Sequence, residues 1–138
     1  FDSFEELETF LKKHIQNEKN EILLQIFSGY IDNTFLEQLI QFVLKFNPNV
    51  KIIGTTTDGE IIEGNILKNS VVLSFSIFEH TNLSTSYVDL TEIKQKFKPN
   101  CSFHGGAELA KNLNITEKTK GVIIFGDGLN LNGEEFLN

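Results

Sequence analysis

With 138 residues the chain can bury one hydrophobic core but not two of ordinary size, and its 40% apolar content is that of a globular protein, which excludes disorder. The net charge is -7 and all 12 basic residues are lysine, so a nucleic-acid backbone is excluded as partner, and an anionic ligand must be held by amides, hydroxyls or lysine without a guanidinium fork. No apolar run approaches the roughly 20 residues of a membrane span, and no signal peptide opens the chain.

The first residue is Phe1 and not Met, so the chain is expected to be a piece of a longer protein. Ser3 and Glu6 form a capping-box pattern, and Phe4, Leu7, Phe10, Leu11 and Ile15 recur at helical spacing, which predicts an amphipathic helix over 4–16. The apolar run 22–27 predicts a strand stopped by Ser28 and Gly29. A second helix is expected from Asn33, with Phe35, Leu36, Leu39, Ile40, Val43 and Phe46 inward, ending at Asn47 and Pro48. Residues 50–53 read as a short strand leading into the bend 54–60, followed by brief extended pieces at 61–62 and 65–67 around Gly64. Val71, Leu73, Phe75 and Ile77 then alternate with Ser74 and Ser76, the period of a strand with one buried face. A turn at 79–82 is expected to lead into an antiparallel strand at 83–88, which would set Ser84 and Ser86 opposite those serines. A helix over 106–113, a last strand at 122–125, a break at Gly126, Asp127 and Gly128, and a helix start at Glu134 complete the reading. The order helix, strand, glycine turn, helix thus occurs in 4–40 and again in 106–137. An internal repeat and a chance likeness both account for it, since strand–glycine–helix is common in α/β proteins.

The bend 54–60 carries the sharpest chemistry. Gly54 and Gly59 let a ligand approach the backbone, and successive amides in such a bend form a concavity for an anion. Thr55, Thr56 and Thr57 add hydroxyls, and Asp58 or Glu60 can pair with an ammonium group. Both signs of charge are served, which suits a zwitterion such as an amino acid; a turn with strand-forming threonines is the plainer alternative. No P-loop lysine follows. Ser28 and Asp127 stand at strand ends, where open α/β sheets place ligands, although an aspartate in a glycine-flanked turn usually serves the turn itself. Cys101 and His104 are close in sequence, but closeness in sequence is no sign of a nucleophile and its base, and neither His80 nor any other residue supplies a catalytic pattern. The single cysteine excludes an internal disulfide and points to a reducing cytoplasm, and with His14, His80 and His104 it lacks the spacing of a zinc site. No enzyme activity, metal or cofactor is expected.

The segment from Ile53 through Gly54, Thr55, Thr56, Thr57, Asp58, Gly59 and Glu60 to Ile61 resembles the most recognisable motif of FIST domains. The strand at 70–81, with its Phe78 and Thr81, resembles the strand that follows in that family, and 24–28 and 125–129, which includes Leu129, are similar to its first strand and later glycine-rich turn. The order agrees over most of 20–137. The resemblance implies a sensory domain of signal transduction that binds a small ligand such as an amino acid and is coupled to an output domain. It also implies that 1–138 is a single domain, a FIST N-terminal domain truncated at its C-terminal end, whose later glycine-rich segment is not in this chain.

Together these readings predict an α/β (α+β) fold with a mixed, largely antiparallel sheet and helices on at least one face. Gly54, Thr55, Thr56, Thr57, Gly59, Glu60, Ser28 and Asp127 are the expected ligand-binding residues. The alternative from another class is a protein–protein module that docks a partner or a second copy as a homodimer. A hydrolase using Cys101 and His104 ranks third.

Overall fold

In the computed structural model, which describes residues 3–29, 32–62, 64–128 and 130–138, the first helix, α1 (Phe4–His14), begins where the Ser3 hydroxyl accepts the Glu6 amide at 3.2 Å. Its apolar stripe buries Leu7 and Leu11. The chain leaves α1 through Ile15 and is tied there by Asn47. That buried side chain donates to the Ile15 and Glu18 carbonyls at 3.1 and 3.2 Å and accepts the Asn49 amide at 3.0 Å. Asn47 thus closes α2 (Asn33–Phe46), whose start is capped by Asp32 accepting from the Phe35 amide.

Between these helices runs β1 (Glu21–Ser28), and after α2 comes β2 (Lys51–Thr56), parallel to it, so β1, α2 and β2 form a βαβ unit. The third strand of the sheet, β5 (Val71–Phe78), returns antiparallel on the other side of β1, giving the order β2-β1-β5. Register decides the faces. Ile22, Leu24 and Ile26 of β1 align with Ile77, Phe75 and Leu73 of β5, and Leu24 with Ile52 of β2. From this face Ile22, Leu24, Ile26 and Val71 join Leu7, Leu11, Leu39 and Val43 in one core, with Ile52, Leu73 and Phe75 packed against it. Phe10 meets Phe75 at 5.2 Å between ring centroids, and Phe4 meets Phe42 edge-on at 5.0 Å. Ser74 and Ser76 lie on the opposite face, as their alternation predicts, beside Gln25 and Leu23 of β1. The chain between β2 and β5 makes a small antiparallel hairpin of β3 (Glu60–Ile62) and β4 (Asn65–Leu67), with Gly64 at φ 79° in its turn.

All five described strands lie within residues 1–83, the first of two compact units; the second spans 84–138. It contains α3 (Leu90–Lys96), α4 (Cys101–Leu113) and α5 (Gly133–Leu137). Asp89 caps α3 by accepting the Thr91 amide at 2.7 Å, Asn114 ends α4 in the left-handed region at φ 53°, and Asn132 caps α5. The α4–α5 contact runs over glycine: a Cβ on Gly106 would lie 2.0 Å from the Phe136 carbonyl oxygen. The buried Ser102 hydroxyl accepts the Asn132 amide at 3.0 Å.

The mixed sheet with helices on one face is the fold expected. Four local expectations are corrected. Strand β2 continues through Gly54, Thr55 and Thr56, because their partners Ile26, Phe27 and Ser28 extend β1 to the same length. Residues 83–88 are not a strand; β5 pairs with β1 instead, so Ser84 and Ser86 are not across a hairpin from Ser74 and Ser76. Residues 122–125 are strand-like in composition but have no ladder among the described residues, and a strand exists only with a neighbour to bond. The helix expected at 106–113 begins at Cys101, and α3 was not anticipated. No described helix is long and apolar enough to cross a membrane.

Candidate functional site

The parallel pair β1 and β2 end together, Ser28 opposite Thr56, and the C-terminal ends of parallel strands are where open α/β sheets receive ligands. Beyond this edge the chain turns at Gly29 on one side and at Thr57, Asp58 and Gly59 on the other. The Thr57 amide donates to the Ser28 carbonyl at 2.9 Å, which carries the β1–β2 pairing one step past the strand. On the other side the Gly29 amide donates to the Ser70 carbonyl at 2.7 Å, extending β1–β5 in the same way.

Glu60 lies under this edge, only 4% exposed. The Thr57 hydroxyl donates to its Oε1 and the Ser70 hydroxyl to its Oε2. These hydroxyls, Ser70 first and then Thr57, hold the carboxyl below its ordinary range, outweighing the burial that pushes the other way. Glu60 is therefore ionised at neutral pH, and among the described residues no ammonium group pairs with it. The Glu60 and Ser70 backbone amides also bond this carboxylate, so its roughly four acceptor positions are engaged and a further donor must compete for them. Gly29 faces the carboxylate directly. A Cβ there would lie 3.0 Å from Oε1, 3.1 Å from Oε2 and 3.0 Å from the Asn69 amide nitrogen, so a side chain at this position would crowd both the carboxylate and the Asn69 backbone.

The structure thus brings together Ser28, Thr57 and Glu60 from the expected set and adds Gly29 and Ser70, which composition did not single out. Gly29 stands beside Ser28 at a strand end that could meet a ligand but is not among the expected ligand-binding residues, and Ser70 precedes the β5 alternation without standing out from it. The remaining residues of the motif are placed as follows. Gly54 and Thr56 are exposed, and the half-buried Thr55 hydroxyl donates to the Thr56 carbonyl at 3.1 Å. Both motif glycines have packing reasons: a Cβ on Gly54 would lie 2.9 Å from the Ile26 carbonyl oxygen, and one on Gly59 3.1 Å from that of Leu67. Asp127 belongs to the 84–138 unit, where its carbonyl accepts the Asn130 and Leu131 amides and its carboxylate accepts the Asn130 side chain at 2.6 Å. These are the bonds of a turn. Leu129 lies outside the described residues. Cys101 opens α4, and His104 stacks on Phe97 with ring centroids 4.1 Å apart. No group of histidine, cysteine and acidic side chains among the described residues is arranged to hold a metal ion.

A βαβ unit with a glycine–hydroxyl–carboxylate edge defines the class of site. The FIST N domain family matches residues 22–138, and the chain belongs to it. The family is one of sensory domains in signal transduction. No curated protein and no solved structure matches the chain.

Proposed function

We propose that the chain is a sensory domain that takes up a small polar metabolite bearing an ammonium group, an amino acid being the simplest, at the joint end of β1 and β2. It passes the event to an output domain in the cytoplasm and performs no chemistry on the ligand. The observation that supports this is Glu60: an ionised, buried carboxylate without a counter-cation among the described residues, set beside a glycine at the strand ends. Hydrogen bonds already hold this charge, and a ligand ammonium would add to them the full opposite charge that the described residues do not supply. Of residues 54–57, Gly54 and Thr56 are the exposed ones, and their backbone with the Thr56 hydroxyl would face the carboxylate of a zwitterion, which suits a chain without arginine.

Isothermal calorimetry with a panel of amino acids tests the reading. Saturable heat is expected at millimolar concentration or below, with the matching 2-hydroxy acid, which lacks the ammonium, binding at least about ten-fold more weakly. No saturable heat from any member of the panel would overturn it.

A further inference from the structure

The hydrogen bonds at the strand ends close a ring. Ser28 accepts from the Thr57 amide, the Thr57 hydroxyl donates to one oxygen of Glu60, the Ser70 hydroxyl donates to the other, and Ser70 accepts from the Gly29 amide. Ser28 and Gly29 are neighbours in the chain, so the circuit returns to its start. What leaves the ring and comes back to it is the β3–β4 hairpin, whose first residue is Glu60 and whose exit passes through Asn69, at φ 52°, into Ser70. One carboxylate therefore ties both stems of the hairpin to the sheet.

A hairpin of two three-residue strands does not hold its own position in water. This one also has little to bury: Ile61 and Ile66, which pair across it, are each 74% exposed. Its placement depends on the Glu60 bonds.

We infer that the β3–β4 hairpin is the moving element of the sensor, held down by Glu60 in the empty protein and loosened when a ligand ammonium competes with the Thr57 and Ser70 hydroxyls for the same carboxylate oxygens. This rests on the ligand reading above. The coupling has a definite sign. A ligand shifts an equilibrium only by its difference in affinity for two states, and here the bonds that hold the hairpin and the bonds that hold the ligand draw on the same lone pairs. Capture and release are linked, and by reciprocity a variant with a loosened hairpin binds ligand more readily so long as it keeps the carboxylate. The β1–α2–β2 framework, packed on the core, stays as it is.

Hydrogen exchange measured by mass spectrometry on the whole chain tests both halves. In the ligand-free protein, Glu60→Gln and Ser70→Ala are expected to speed exchange over 61–68 by about ten-fold or more, while amides of β1 and α2 keep their wild-type rates. Ser70→Ala retains the charge and removes one donor, so it carries the test if Glu60→Gln does not fold, as judged by far-ultraviolet circular dichroism. Unchanged hairpin exchange in a folded variant overturns the clasp. Adding a mixture of the common amino acids to the wild type is expected to speed the same segment, and to have a smaller effect in Ser70→Ala. Calorimetric heat without any change at 61–68 overturns the coupling and leaves the ligand reading standing; no heat at all overturns both.

Discussion

Each of the two compact units contains an apolar, strand-like run, and the two runs reach different ends. In residues 1–83, the strand with Ile22, Leu23, Leu24 and Ile26 is central, bonded on both edges, and every one of those side chains is buried. In residues 84–138, Val122, Ile123 and Ile124 are as apolar and as β-branched, yet they bond to no strand among the described residues, and Ile123 is 55% exposed. Ile93 is the one fully buried apolar side chain described in that unit. The difference teaches that strand propensity is a property of fit to neighbours. Composition prepares a segment for a sheet; the sheet itself comes from the strands on either side.

That contrast can be broken by substitution. Leu24 has no exposed area, so Leu24→Ala is expected to cost about 2–5 kcal/mol through lost burial and the cavity left behind. Urea unfolding followed by circular dichroism gives the figure, and a loss under 1 kcal/mol, on the order of a surface change, would mean that this core is not the stabilising one. Asn47→Ala comes next, at about 1–3 kcal/mol, because it strips the Ile15 and Glu18 carbonyls of their donor inside the same unit. The same titration reads it, and wild-type stability would show that the tether contributes nothing. The smallest effect is expected from Ile123→Ser, within about 0.5 kcal/mol of wild type. A penalty as large as that of Leu24→Ala would put 122–125 inside a packed sheet in solution and erase the contrast.

The parts legible in the sequence were those written in local pattern. Ser3 caps α1, α2 begins at Asn33 as its pattern predicts, the spacing of Leu7 and Leu11 and of Leu39 and Val43 gives the core stripes, and the alternation from Val71 gives β5. The motif at 54–60 lies at the joint end of β1 and β2, where Thr57 and Glu60 come together. What could not be read was pairing at a distance. Nothing local says that β5 returns to β1 instead of bonding 83–88, or that β2 runs on through Thr56. Gly29 and Ser70 were missed for the same reason: each matters only because the register sets it against a residue far along the chain. The α3 helix escaped because at seven residues it is too short to show a period, although Asp89 in front of it is a sound cap.

The ring around Glu60 has a further consequence for how the protein matures. Its members arrive from the end of β1, the bend after β2 and the entry to β5, so it cannot close until all three strands have assembled. A chain stalled with only β1, α2 and β2 in place would lack the Ser70 donor and leave the acidic side chain half satisfied. A folding intermediate therefore has no closed clasp, and on the inference above it holds nothing for a ligand to release: the switch comes into being only with the finished sheet.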